Sequence, residues 1–106
     1  MPSKRIEVLT FYGCPNATAA QALVDRVVAG LDVEVEVASV RVPDVDAAER
    51  LRFLGSPTIR VDGTDIEPGA AGRSGYALAC RVYATDSGAS NLPDEGWLRA
   101  ALSQSI

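Results

Sequence analysis

Histidine is absent from this 106-residue chain. That excludes an imidazole general base, Cys–His and Ser–His–Asp constellations, and most zinc sites. Cysteine occurs twice, and Cys14 and Cys80 are the only strong nucleophiles. No apolar run approaches the ~20 residues that cross a bilayer. The opening Met-Pro-Ser-Lys-Arg leads straight into a strand-like run without a signal-peptide core, so a cytoplasmic location is the expectation. Basic residues number 10 against 14 acidic ones, and the net charge of −4 argues against a nucleic-acid partner. Gly69, Gly72 and Gly75 lack the Lys-Ser/Thr ending of a phosphate loop. No cofactor is expected. A composition of 47% hydrophobic and 23% charged residues is that of one ordinary globular domain over residues 1–106.

The first apolar segment, Ile6 to Tyr12, carries Ile6 and Val8 on one face and Leu9 and Phe11 on the other. A strand apolar on both faces belongs inside a sheet with helices on either side. Gly13-Cys14-Pro15-Asn16 ends it, Pro15 suits the first turn of a helix, and Gly30 suits its end. Ala20, Leu23, Val24, Val27 and Leu31 form that helix's apolar stripe. A second strand is expected over Asp32 to Val42. Its apolar parity changes between Val37 and Val40, and a bulge near Ala38-Ser39 would explain that.

Asp44 is expected to cap a second helix with Ala47, Ala48, Leu51 and Leu54 inward and Gly55 as its end. Asp62-Gly63 between Thr58-Ile59-Arg60-Val61 and Thr64-Asp65-Ile66 signals a β-hairpin. Glu67 to Gly75 reads as loop, Leu78 to Tyr83 as a strand with a helical turn as the alternative, and Asp86 to Asn91 as a polar loop. Pro93-Asp94-Glu95 opens a last helix whose inner face is Trp97, Leu98, Ala101 and Leu102.

The order is therefore β-α-β-α-β-β-α, an α/β fold with a central mixed sheet flanked by helices and an inserted segment before the last helix. With Phe11-Tyr12-Gly13-Cys14-Pro15 after the first strand and Gly55-Ser56-Pro57-Thr58 before the third, it resembles the thioredoxin-like superfamily. The resemblance covers roughly residues 5–67 and the last helix. Within the superfamily the chain is most similar to small bacterial thioredoxin/glutaredoxin-like proteins with a Gly-Cys-Pro-Asn start, a Gly-Ser-Pro-Thr turn and a later Cys-Arg-aliphatic-Tyr. Some of these carry mercury-related names. The resemblance implies that Cys14 sits at the N-terminus of the first helix, with a cis-Pro57 beside it. There the free N–H groups and the dipole favour the thiolate, the reactive form. Otherwise Cys14 is an unreactive cap residue.

The departures are as informative. Ala17 stands where a dithiol motif needs its second cysteine, so the usual disulfide within the motif is excluded. The Cys-Gly-Phe-Ser start of monothiol glutaredoxins is absent, and Glu67-Pro68 replaces their Gly-Gly pair. Cys80 reads either as a buried apolar packing residue or as a resolving thiol for Cys14, with Arg81 beside it to stabilise a thiolate or hold an anion. Asp62, Asp65 and Glu67 read as a solvated hairpin edge. Two thiolates make only half of a tetrahedral metal shell, so no metal site is assigned.

Three functions stay open. The first is thiol–disulfide chemistry at Cys14 resolved by Cys80, as in a thiol–disulfide oxidoreductase acting on a protein or low-molecular-weight thiol partner. The second is a non-catalytic binding module, in which Tyr12, Pro15, Ser56, Pro57 and Thr58 line a groove and a peptide pairs with the Ser56 backbone. The third is soft-metal or organomercurial handling by the two thiols. The sequence sets no oligomeric state.

Overall fold

A computed structural model describes residues 4–31 and 34–103. It is an α/β fold with a four-stranded mixed sheet, a separate two-stranded hairpin and three α-helices. The elements run β1 (Lys4–Thr10), α1 (Ala17–Ala29), β2 (Val35–Arg41), α2 (Val45–Arg50), β3 (Thr58–Val61), β4 (Thr64–Asp65), β5 (Tyr83–Thr85), β6 (Gly88–Ser90) and α3 (Glu95–Ser103), with a 3-10 turn at Ala70–Gly72 between β4 and β5. The main sheet has the order β2-β1-β3-β4. β1 pairs in parallel with β2 and antiparallel with β3, and β3 is antiparallel to β4. β1 is thus an interior strand, as its two apolar faces require. Ile6 and Val8 join the core under α1 and α3, whereas Leu9 joins a second core with Val42, Ala47, Ala48 and Phe53 on the α2 side.

The bulge expected in β2 is absent. The register runs one to one from Lys4↔Val35 to Thr10↔Arg41, straight through Ala38 and Ser39. The parity change has another cause. Val35 packs against the α1/α3 core and Val40 against the α2 core, so different layers cover the two ends of this edge strand. Of the expected strand, Asp32 and Val33 lie outside the described residues.

α1 buries Ala20, Leu23, Val24 and Val27, and Leu31 is partly buried beside them. α2 is a single short helix whose N-cap Asp44 accepts a 2.8 Å bond from the Ala47 amide. It ends before Gly55. Arg52 adopts φ 55°, the Phe53 amide returns to the Ala48 carbonyl at 2.8 Å and the Arg52 amide to the Glu49 carbonyl at 3.2 Å. That is a Schellman motif with arginine at the left-handed position usually held by glycine. Arg60 supports it, donating to the Leu51 carbonyl at 2.6 Å and the Arg52 carbonyl at 3.1 Å.

The β3–β4 turn has positive φ at both Asp62 and Gly63, matching the twist of the flanking strands. In α3, Leu98 and Leu102 are buried and Trp97 and Ala101 are partly buried against the same core. Glu95 at its start receives bonds from Arg99 and from Arg26 of α1, which together hold its carboxyl below the usual range. The polar stretch expected to be loop at Asp86–Asn91 instead contributes β6, paired with β5.

No helix among the described residues is long and apolar enough to cross a membrane.

Candidate functional site

Two segments meet at the start of β3. The first is Gly55-Ser56-Pro57-Thr58, in which all four residues are buried and the Ser56–Pro57 peptide bond is cis. The second is the strap from Ala77 to Tyr83. The Ser56 amide donates to the Ala79 carbonyl at 2.8 Å, and the Arg81 amide donates to the Ser56 carbonyl at 3.0 Å. These two bonds form a parallel bridge between Ser56 and Cys80. Both backbone groups of Ser56 are therefore used within the chain. The edge expected to receive a partner peptide is filled by the protein's own strap.

The strap is extended, but its expected strand from Leu78 to Tyr83 is reduced to this one bridge, and regular pairing begins only at Tyr83. From Cys80 to Tyr83 its side chains alternate. Cys80 and Val82 are exposed, Arg81 and Tyr83 buried. Of the two readings of Cys80, the exposure rules out the buried packing residue, and the burial of Arg81 removes the free cation expected beside a resolving thiol. Partners hold the arginine inside. The Arg81 side chain is 1% exposed. It donates to Thr58 Oγ1 at 2.9 Å, to Asp65 at 2.7 and 3.2 Å, and to Glu67 at 2.8 Å. Its guanidinium also lies 4.3 Å from the centre of the Tyr83 ring.

Asp65 and Glu67 are correspondingly no solvated edge, being only 13% and 10% exposed. Arg73 pairs with Glu67 as well, so two arginines balance two carboxylates. Burial works against the Arg81 charge, but the bonds to Asp65 and Glu67 outweigh it, and its pKa lies above the ordinary arginine value. With its guanidinium engaged in this cluster, Arg81 is not disposed to stabilise a neighbouring thiolate.

Tyr83 completes the anchor by donating its hydroxyl hydrogen to the Pro57 carbonyl. Burial pushes its phenol well above the ordinary tyrosine range, against a smaller opposing effect of Arg81. Thr58 accepts from Arg81 and donates to the Gly55 carbonyl at 2.6 Å. Gly55 has φ 129°, and a Cβ there would meet Arg81 Cβ at 2.9 Å and the Ala79 carbonyl at 3.1 Å. Only glycine lets the strap come so close.

Cys14 is half-buried in the turn between β1 and α1. Its amide donates to the Phe11 carbonyl at 3.2 Å and its carbonyl accepts from the Ala17 amide at 3.3 Å. The helix begins at Ala17 with Asn16 as N-cap. Cys14 and Pro15 therefore both precede the helix, whereas the sequence had placed Cys14 at its N-terminus and Pro15 in its first turn. Tyr12 is 84% exposed, with the Arg41 guanidinium 5.4 Å from its ring centre. Phe11, Tyr12 and Leu78 help to line one groove, so the strap carrying Cys80 borders the turn carrying Cys14.

Ser56, Pro57, Thr58, Cys80 and Arg81 are thus brought together, while Pro15 is exposed. Sequence reasoning missed Gly55, Asp65, Glu67 and Tyr83. The spacing of Asp65 and Glu67 was the available signal, since residues two apart in extended chain share a face. Among the described residues no cluster of three or more His, Cys, Asp or Glu side chains forms a metal cage. No protein-family model and no curated protein matches the chain.

Proposed function

We propose that the chain is a thioredoxin-like thiol protein in which Cys14 and Cys80 act as a non-adjacent redox pair. Support for the fold assignment comes from the strand order β2-β1-β3-β4, with a cysteine turn after β1 and Ser56-Pro57 ahead of β3. The observation that carries the functional reading is the Ser56–Cys80 bridge, which holds an exposed cysteine at the residue preceding Pro57.

The Cys14 thiolate attacks a disulfide of a partner protein or a low-molecular-weight thiol adduct. One partner sulfur leaves as thiolate, and a mixed disulfide forms on Cys14. The Cys80 thiolate then attacks the Cys14 sulfur and releases the second partner thiolate. The partner gains two electrons, and the Cys14–Cys80 pair becomes a disulfide. Low-molecular-weight thiols of a reducing cytoplasm return the pair to the dithiol.

The test is trapping. Cys80→Ser incubated with a small disulfide should accumulate a mixed disulfide on Cys14, seen as an intact-mass adduct, whereas the wild type should release it. Equal adduct lifetimes in both proteins would contradict the proposal.

A further inference from the structure

We infer that Arg81 and Gly55 are positioning residues for Cys80: Arg81 plugs the strap into the Asp65–Glu67 carboxylates, and Gly55 opens the space that lets it seat. This rests on the redox-pair reading for its consequence, but on the fold alone for its geometry. In extended chain, neighbouring side chains point to opposite sides. Pinning Arg81 inward therefore turns Cys80 outward, and the exposures of the two residues follow that rule.

Three independent contacts converge on the strap. The guanidinium spans Thr58, Asp65 and Glu67, tying the strap to β3, to β4 and to the segment after it. The Asn91 side chain donates to the Arg81 carbonyl at 3.2 Å, holding its backbone from the far side. The Arg81 Cβ sits where a Gly55 side chain would be, within 2.9 Å. Among the described residues the Arg81 Nε has no partner, so the fork is committed through its two terminal nitrogens. A lysine keeps the charge but presents a single nitrogen and cannot span all three partners.

The function of such a plug is to raise the local concentration of the Cys80 thiol at one place on the surface. Effective concentrations in well-oriented intramolecular reactions depend steeply on placement. Loosening the plug should leave Cys14 as it is and weaken only its pairing with Cys80.

The experiment compares wild type, Arg81→Lys and Gly55→Ala. For each, the Cys14–Cys80 disulfide is equilibrated against glutathione redox buffers, Cys14 alkylation is timed in a Cys80→Ser background, and exchange of the Ser56 and Arg81 amides is followed by NMR. Both variants should lower the effective concentration of the pair on the order of tenfold or more. Both should speed amide exchange at Ser56 and Arg81, and neither should change Cys14 alkylation. A folded variant that pairs its cysteines at the wild-type concentration and keeps both amides protected overturns the inference. Should one variant fail to fold, the other decides. If the wild type forms no Cys14–Cys80 bond, the redox-pair reading fails. The positioning claim is then judged by amide exchange, where unchanged protection in Gly55→Ala overturns it.

Discussion

The Arg81 amide donates to the Ser56 carbonyl at 3.0 Å, while the Arg81 guanidinium reaches the Thr58 hydroxyl two residues further along the same segment. One residue thus holds the approach to β3 by its backbone and by its side chain. The strap cannot shift along Ser56 without pulling a guanidinium out of two carboxylates, and Cys80 is fixed by its neighbour.

Arg81→Met should be among the most destabilising single changes in the chain. It leaves the nearly buried Asp65 with the Glu67 amide but no cation, and leaves Glu67 to Arg73 alone. Breaking a buried pair from one side costs about 3–5 kcal/mol. Urea unfolding measures it, and a loss below about 1 kcal/mol would mean that the cluster is far more hydrated than its burial implies.

Gly55→Ala should cost roughly 1–3 kcal/mol through overpacking against Arg81 and the Ala79 carbonyl. Gly63→Ala is a useful control. It too sits at positive φ, but its Cβ would meet nothing within 4 Å. The difference between the two in thermal melting isolates the steric part from the backbone part.

Tyr83 should resist ionisation in the native protein. Its folded-state phenol is raised above the unfolded value by burial. Its contribution to stability is therefore complete below the ordinary tyrosine value of about 10 and falls as pH rises beyond it. Absorbance titration of wild type against Tyr83→Phe should reveal no early phenolate from this residue. Tyr83→Phe itself should lose about 1–3 kcal/mol at neutral pH by leaving the buried Pro57 carbonyl without its donor.

Cys80 should be labelled by a thiol reagent in the native protein at neutral pH, because it is exposed, whereas burial was one of the two readings the sequence left open. Brief alkylation followed by mass spectrometry checks this. Labelling of Cys80 only after denaturation would contradict the outward orientation of the strap.

The sheet was legible because its signals are local and agree with one another. The two-faced apolarity of β1, the Asp44 cap and the Asp62-Gly63 turn each point to one structure. What escaped depends on contacts between distant segments. The parity change in β2 reflects two covering layers, which no strand can announce alone. Arg52 ends α2 because Arg60 and the Phe53 amide satisfy its last carbonyls, although a glycine was in view three residues later. At the site, the turn at Cys14 followed from local glycine and proline signals, though the helix starts three residues later than Cys14, and the cis peptide before Pro57 followed from the family resemblance. The sequence left Cys80 open between burial and a resolving role, and the inward Arg81 decides it, since neighbours in extended chain take opposite sides. Arg81 was read as a partner for a thiolate or an anion because its carboxylate partners stand 14 and 16 positions away.

The most direct measurement is non-reducing peptide mapping of the native protein after mild diamide oxidation. An intramolecular Cys14–Cys80 bond that dithiothreitol reverses is expected. Closing so long a loop should also stabilise the protein by about 4 kcal/mol before strain is subtracted, so oxidation should raise the melting temperature of the wild type and not of Cys80→Ser. Recovery of only intermolecular Cys14–Cys14 dimers, with Cys80 still a free thiol, would contradict the pairing on which the account rests.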